Sequence, residues 1–227
     1  MFVGGNNEEI APESYGQAVL DPEWRKSMMS EIKALRNRGC WRVVQTGVRL
    51  IKSKYVYKLK RDWQGKVTKR KSRLVVQGFL QRKGLDFNET YAPVSKATTF
   101  RLMLALTQAY KLHLHQLDVD SAFLYADLDE EVFMTPPPGM ELEEGFCLKL
   151  LKSLYGLKQA PRNWNKNIVE HIKSLGFKNV CWIIVYLSNN LEAICISYHC
   201  MSMTFWLLVP ILKKWRISSV NLQSAMK

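Results

Sequence analysis

A chain of 227 residues with 47% hydrophobic content is long enough to bury a core as one large domain or two small ones. Its net charge of +13 is unevenly spread, with thirteen Lys or Arg against the single acid Asp62 between residues 49 and 83. That imbalance makes an ordinary solvated surface the weaker reading and is the footprint expected of a phosphate-backbone binder. The opening Met1-Phe2-Val3-Gly4-Gly5-Asn6 has neither a basic nor an apolar signal region, so no signal peptide is predicted. Five cysteines (Cys40, Cys147, Cys181, Cys195, Cys200) lack framework spacing, which suits a reducing compartment.

Residues 1–20 are polar and predicted to form a loose lead-in. Asp21-Pro22 reads as N-cap and first helical residue, Trp24, Met28, Ile32 and Leu35 follow at helical spacing, and Gly39 closes the helix. A strand is predicted over residues 40–44. From Lys54 the pattern alternates, with Tyr55, Tyr57 and Leu59 on one face and Lys54, Lys58 and Lys60 on the other. Asp62-Trp63-Gln64-Gly65 supplies a turn and residues 67–76 return, which makes a hairpin with a strongly basic face. Lys and Arg on such a flap can meet phosphate oxygens directly.

Thr98-Thr99 caps a predicted helix running to about Tyr110. The next stretch, Gln116-Leu117-Asp118-Val119-Asp120-Ser121-Ala122-Phe123-Leu124, is the one on which the chain turns. Alternation sends Asp118 away from Leu117 and Val119, and a carboxylate on a buried strand is costly unless it is paired or holds a cation. Asp118 is then either a strand-end cap or half of a metal site with Phe123 as its aromatic floor. Acid-rich turns and the extended Pro136-Pro137-Pro138-Gly139 follow. A last helix starts near Pro161, lines one face with Trp164, Ile168, Ile172 and Leu175, and ends at Gly176. Gln159 lies just before it, where free backbone N–H groups can meet a nucleotide.

These blocks resemble the reverse transcriptase of copia-type retrotransposon Pol polyproteins. The match runs through Asp21-Pro22-Glu23-Trp24, Lys54-Tyr55-Val56-Tyr57-Lys58, Lys71-Ser72-Arg73-Leu74-Val75 and Glu89-Thr90-Tyr91-Ala92-Pro93-Val94. It continues through residues 116–124 and 134–139 to Leu154-Tyr155-Gly156-Leu157-Lys158-Gln159-Ala160-Pro161-Arg162. The resemblance implies an α+β fold, a partial right-hand polymerase with fingers and an incomplete palm over 21–178. It also implies RNA-directed DNA synthesis on a template–primer from deoxynucleotides, with Mg²⁺ ions, in an intracellular, cytoplasmic setting away from membranes. Asp118 matches the first catalytic and metal-binding carboxylate, and the Val119 backbone carbonyl its neighbouring ligand. Phe123 matches the residue that excludes a ribose 2′-OH, Gln159 one lying against the incoming nucleotide, and Arg73 and Lys71 contacts to its triphosphate. Lys58, Lys60, Lys69 and Arg70 are the expected nucleic-acid contacts of the fingers. Ala126 stands where the family usually has Gly and is expected to strain its turn.

The family also needs a Tyr-Val-Asp-Asp hairpin, and this chain has no Asp after Asp129. A reading shifted to the third base of each codon explains the loss. His199-Cys200 then forces Leu, Met203-Thr204 forces Asp, and the pairs between and after them are compatible with Leu-Tyr-Val-Asp-Asp-Ile-Leu. Residues 179–227 are therefore expected to be an out-of-frame tail that does not follow the family fold, and the polymerase is expected to be inactive. The alternative is a nucleic-acid-binding remnant that uses the basic hairpin without catalysis. The apolar runs 181–187 and 205–212 suggest membrane helices, but each is too short to span a bilayer.

Overall fold

A computed structural model describes residues 9–45, 47–94, 96–109, 111, 113–174, 178–180, 183–187, 193–199 and 204–209. The chain divides into two compact units, Met1–Asn88 with Asp127–Lys158, and Glu89–Ala126 with Gln159–Lys227. The boundaries at 20 and 178 expected from the sequence follow resemblance and reading frame, whereas these units follow contacts within the fold.

The first unit opens with a correction. Part of the supposed lead-in forms a short helix, α1 (Tyr15–Ala18), in which the Ser14 hydroxyl accepts from the Gln17 N–H and Ala18 is fully buried. Helix α2 (Pro22–Asn37) begins as predicted, with the Asp21 carboxylate accepting from the Glu23 N–H at 2.7 Å. Gly39 follows it at φ +61, the left-handed conformation that ends a helix. Trp24, Met28 and Leu35 are buried. Strand β1 (Trp41–Gln45) joins a three-stranded antiparallel sheet, and strands β2 (Ser53–Arg61) and β3 (Val67–Val76) form the predicted hairpin.

Helix α2 covers the free edge of β3 with side chains. The Ser27 hydroxyl donates to the Arg70 carbonyl and accepts from the Ser72 N–H, and a Glu31 oxygen accepts from the Leu74 N–H at 3.3 Å. Edge amides that would otherwise invite another strand are thereby satisfied. Trp24 meets the edge of Tyr57 at 5.3 Å, and the Tyr57 hydroxyl donates to Met28 Sδ.

The acid-rich stretch read as turns is instead strand β5 (Asp127–Met134), which pairs with β6 (Phe146–Lys152) around a register shift between Asp127 and Val132. Lys152 and Lys149 cross to Asp127 and Glu131. Strand β6 is central, flanked by β1 and β5, and contributes the fully buried Leu148.

The second unit contains α3 (Ala97–Ala109), β4 (His113–Asp118), α4 (Ala160–Ser174) and β7 (Lys178–Val180). It is completed by β8 (Ile183–Leu187), β9 (Ala193–His199) and β10 (Thr204–Val209), in the sheet order β4-β10-β9-β8-β7. Helix α3 starts one residue before the predicted Thr98-Thr99 cap, and on α4 Trp164 and Ile168 are fully buried. The predicted stop at Gly176 lies outside the described residues.

Strand pairing extends into the tail. Its described residues pair in a regular antiparallel ladder and reach β4, with Thr204 opposite Asp118. The physical reason is compositional: runs such as Ile183-Ile184-Val185-Tyr186 and Thr204-Phe205-Trp206 are β-branched and aromatic, and they fit a pleated surface whatever frame encoded them. The two apolar runs read as possible membrane helices supply strands β8 and β10, and no helix among the described residues is long and apolar enough to cross a membrane.

Candidate functional site

Two clusters of predicted residues emerge, one in each unit. In the second unit Asp118 is the last residue of β4, and it is exposed. The desolvation argument made from a buried strand therefore does not hold for it. Strand alternation ends there: Ser121 turns left-handed at φ 57, and a single 3-10 turn, Ala122–Tyr125, follows. That turn buries Ala122 and Leu124, leaves Phe123 half-buried, and packs against α4 with Tyr125 6.4 Å from Trp164. Ala126 follows at φ −94 and ψ 125, ordinary extended backbone, so the expected strain is absent.

Gln159 heads the second stretch of this unit, immediately before α4. It is only 1% exposed, and its carbonyl accepts from the Asn163 N–H at 2.9 Å. Asp118, Val119, Phe123 and Gln159 thus share one unit, and the turn carrying Phe123 packs against α4, which Gln159 immediately precedes.

The donor set does not fit a pair of divalent ions. Of the two ligands the resemblance implies, Asp118 and the Val119 carbonyl, one is charged, and the sequence between β9 and β10 is Cys200-Met201-Ser202-Met203, without an acid. Among the described residues no group of three His, Cys, Asp or Glu could hold a metal ion.

In the first unit the hairpin separates its cations by face. Pairing sets Lys58 opposite Lys71 and Lys60 opposite Lys69, with Val56 opposite Arg73. Like charges directly across an antiparallel pair disfavour it, so this arrangement adds nothing to the stability of the hairpin. Arg70 falls on the other face, opposite Leu59, and its guanidinium reaches Glu9 at 2.6 Å and Asp21 at 3.8 Å. Strand alternation therefore sets Arg70 apart from the lysines with which the sequence grouped it. The Arg73 guanidinium lies 5.4 Å over the Tyr155 ring, held by a cation–π contact. Burial raises the Glu31 carboxyl above its ordinary value, against the Leu74 N–H and the cations Arg73, Lys71 and Arg38, which lower it.

The specific run from residue 154 to 162 has two roles. Its first part is a clamp on the end of β3: the Val76 N–H donates to the Tyr155 carbonyl at 2.8 Å, and the Lys158 N–H to Gln81 Oε1 at 2.8 Å. Gly156 is at φ +94, and a Cβ there would lie 2.0 Å from the Val76 carbonyl oxygen, which only glycine avoids. The second part, from Gln159, belongs to the other unit. Sequence reasoning saw none of this clamp, and it treated Trp63 only as a turn residue. An aromatic inside a polar turn flanked by cations was the available signal.

Residues 38–190 match the family described as reverse transcriptase (RNA-dependent DNA polymerase), and the chain belongs to that family. Its relatives include copia-type elements of plants. It is 42% identical over 175 residues to the retrovirus-related Pol polyprotein from transposon TNT 1-94 of Nicotiana tabacum, covering 74% of this chain and 13% of that protein. It is 36% identical over 176 residues to the retrovirus-related Pol polyprotein from transposon RE1 of Arabidopsis thaliana, covering 75% of this chain and 12% of that protein. The chain therefore spans about an eighth of the length of these relatives.

Proposed function

We propose that this chain is a degenerate reverse transcriptase segment of a copia-type element, in which the nucleic-acid-binding hairpin outlives the polymerase chemistry. The first unit corresponds to fingers and the second to an incomplete palm of a right-hand polymerase. Its ancestral partners are template–primer and deoxynucleotides, with Mg²⁺ as the ancestral cofactor and the cytoplasm as the setting.

The observation that carries this reading is what faces Asp118. Two dications about 3.5–4 Å apart repel each other by roughly 17–19 kcal/mol even at an effective dielectric constant of about 20. Several carboxylates are needed to hold them. Opposite Asp118 stands Thr204, and the segment before it contains no acid. That segment, 200–203, is also where the shifted reading is compatible with Tyr-Val-Asp-Asp, so the register supports a change of frame upstream, between about Phe177 and Trp182.

A primer-extension assay on the full chain with Mg²⁺ tests the inactivity. No nucleotide addition is expected, and incorporation abolished by Asp118→Asn would overturn it. Sequencing the genomic DNA around codons 175–210 tests the frame change, and absence of Tyr-Val-Asp-Asp from the alternative frame would end it.

A second reading, retained nucleic-acid binding, is favoured by the opposed lysine pairs Lys58↔Lys71 and Lys60↔Lys69. Binding that weakens steeply with salt supports it; no binding at low salt eliminates it.

A further inference from the structure

The hairpin turn presents an aromatic side chain that the core does not use. Trp63 is 91% exposed, more than any other large hydrophobic residue among those described. The turn beneath it is not slack. The Asp62 N–H donates to the Lys66 carbonyl at 2.9 Å, and the Gly65 N–H to the Asp62 carbonyl at 3.0 Å. Asp62 Oδ1 accepts from the N–H groups of Gln64 and Lys66, both at 2.9 Å. Arg61 closes the loop by donating to the Gly65 carbonyl at 2.9 Å and the Glu9 carbonyl at 2.6 Å. Asp62, the one acid in the basic stretch, is thus spent on shaping the turn that carries the indole.

Cations surround this tip along the chain. Lys60 and Lys69 are opposed on the exposed face just before it, and Lys66 is exposed within it. An indole held in water on an ordered turn beside lysines combines the two elements that grip an unpaired strand: charge for the backbone and a flat surface for a base. A duplex offers the same phosphates but keeps its base faces stacked inside, so it can use only the first element.

We propose that Trp63 is a stacking platform for an unpaired base of single-stranded nucleic acid, whose phosphates lie along the lysines of the hairpin. This rests on the retained-binding reading above, and it adds which kind of strand is bound and by which side chain.

The test titrates the full chain at low salt with a fluorescent thymidine homopolymer and, separately, with a blunt duplex. Trp63→Ala is expected to weaken homopolymer binding by about tenfold, and duplex binding by less than about twofold. Trp63→Phe restores most of the loss, and the salt dependence is the same in all three proteins because no charge has changed. Equal losses on both probes, or none on either, overturn the stacking assignment while retained binding stands. If the unsubstituted chain binds neither probe, both readings fall together. The exposure of Trp63 keeps a folding defect from imitating the result, and circular dichroism of the Ala variant checks this directly.

Discussion

At the scale of single residues, the strictest requirement lies at Gly156. A methyl group there meets the Val76 carbonyl and forces an L-residue to φ +94. Gly156→Ala is expected to cost at least about 2 kcal/mol in urea unfolding, because strained backbone and displaced β3 act together. A loss under about 0.5 kcal/mol would show that the clamp yields freely. Glu31 gives a pH-dependent counterpart. Its carboxyl is raised in the folded chain, so the fold binds a proton that the unfolded chain has already released. Its contribution is therefore favourable below the ordinary carboxylate value and is lost as pH rises through the raised folded value. Glu31→Gln can still accept from the Leu74 N–H but cannot ionise. The stability difference, variant minus parent, is expected to grow as pH climbs through that window and then level off, as read from unfolding midpoints. A difference that shrinks with rising pH would reverse the sign of the burial effect.

At the scale of elements, the β2–β3 hairpin sets stability against the nucleic-acid binding proposed for it. Lys60→Glu converts a repulsive cross-strand pair with Lys69 into an attractive one. It is expected to stabilise the chain by about 0.2–1 kcal/mol while weakening nucleic-acid binding, and to flatten the salt dependence by at least about 0.7 in log–log slope on a single strand. Unfolding and binding titrations of one variant read both effects, and changes in the same direction would refute an interface built at the expense of stability. The hairpin itself was plain in the sequence because alternation, a four-residue turn and a returning strand agree. Strand β5 was not, since Asp127, Asp129, Glu130 and Glu131 look like solvent-facing turn residues, and the pairing with β6 on either side of the register shift is distant in sequence. Helix α1, at four residues, is shorter than any periodic signal. Asp118 was legible as a candidate from its motif. Its exposure was not, because burial depends on what surrounds the strand end rather than on its own alternation.

At the scale of the whole molecule, the defining contact is β4 with β10. It joins residues from opposite sides of the expected frame change, and no local pattern could have foretold it. Among the described residues β10 is the sole neighbour of β4 in its sheet. A chain ended after residue 187 lacks both β9 and β10 and leaves β4 with unpaired amides and carbonyls. It is expected to elute as aggregate in size-exclusion chromatography with light scattering, whereas the full chain does not. A monodisperse truncated species would mean that the tail contributes nothing to order.

That pairing bears on how decayed genes are judged. Peptide groups join in a ladder without regard to the codons that specified their side chains, so a scaffold can outlast the centre it once supported. If the proposed loss of the polymerase centre is right, architecture alone passes such a chain for a working enzyme, and a census of the acids at one turn tells the two apart.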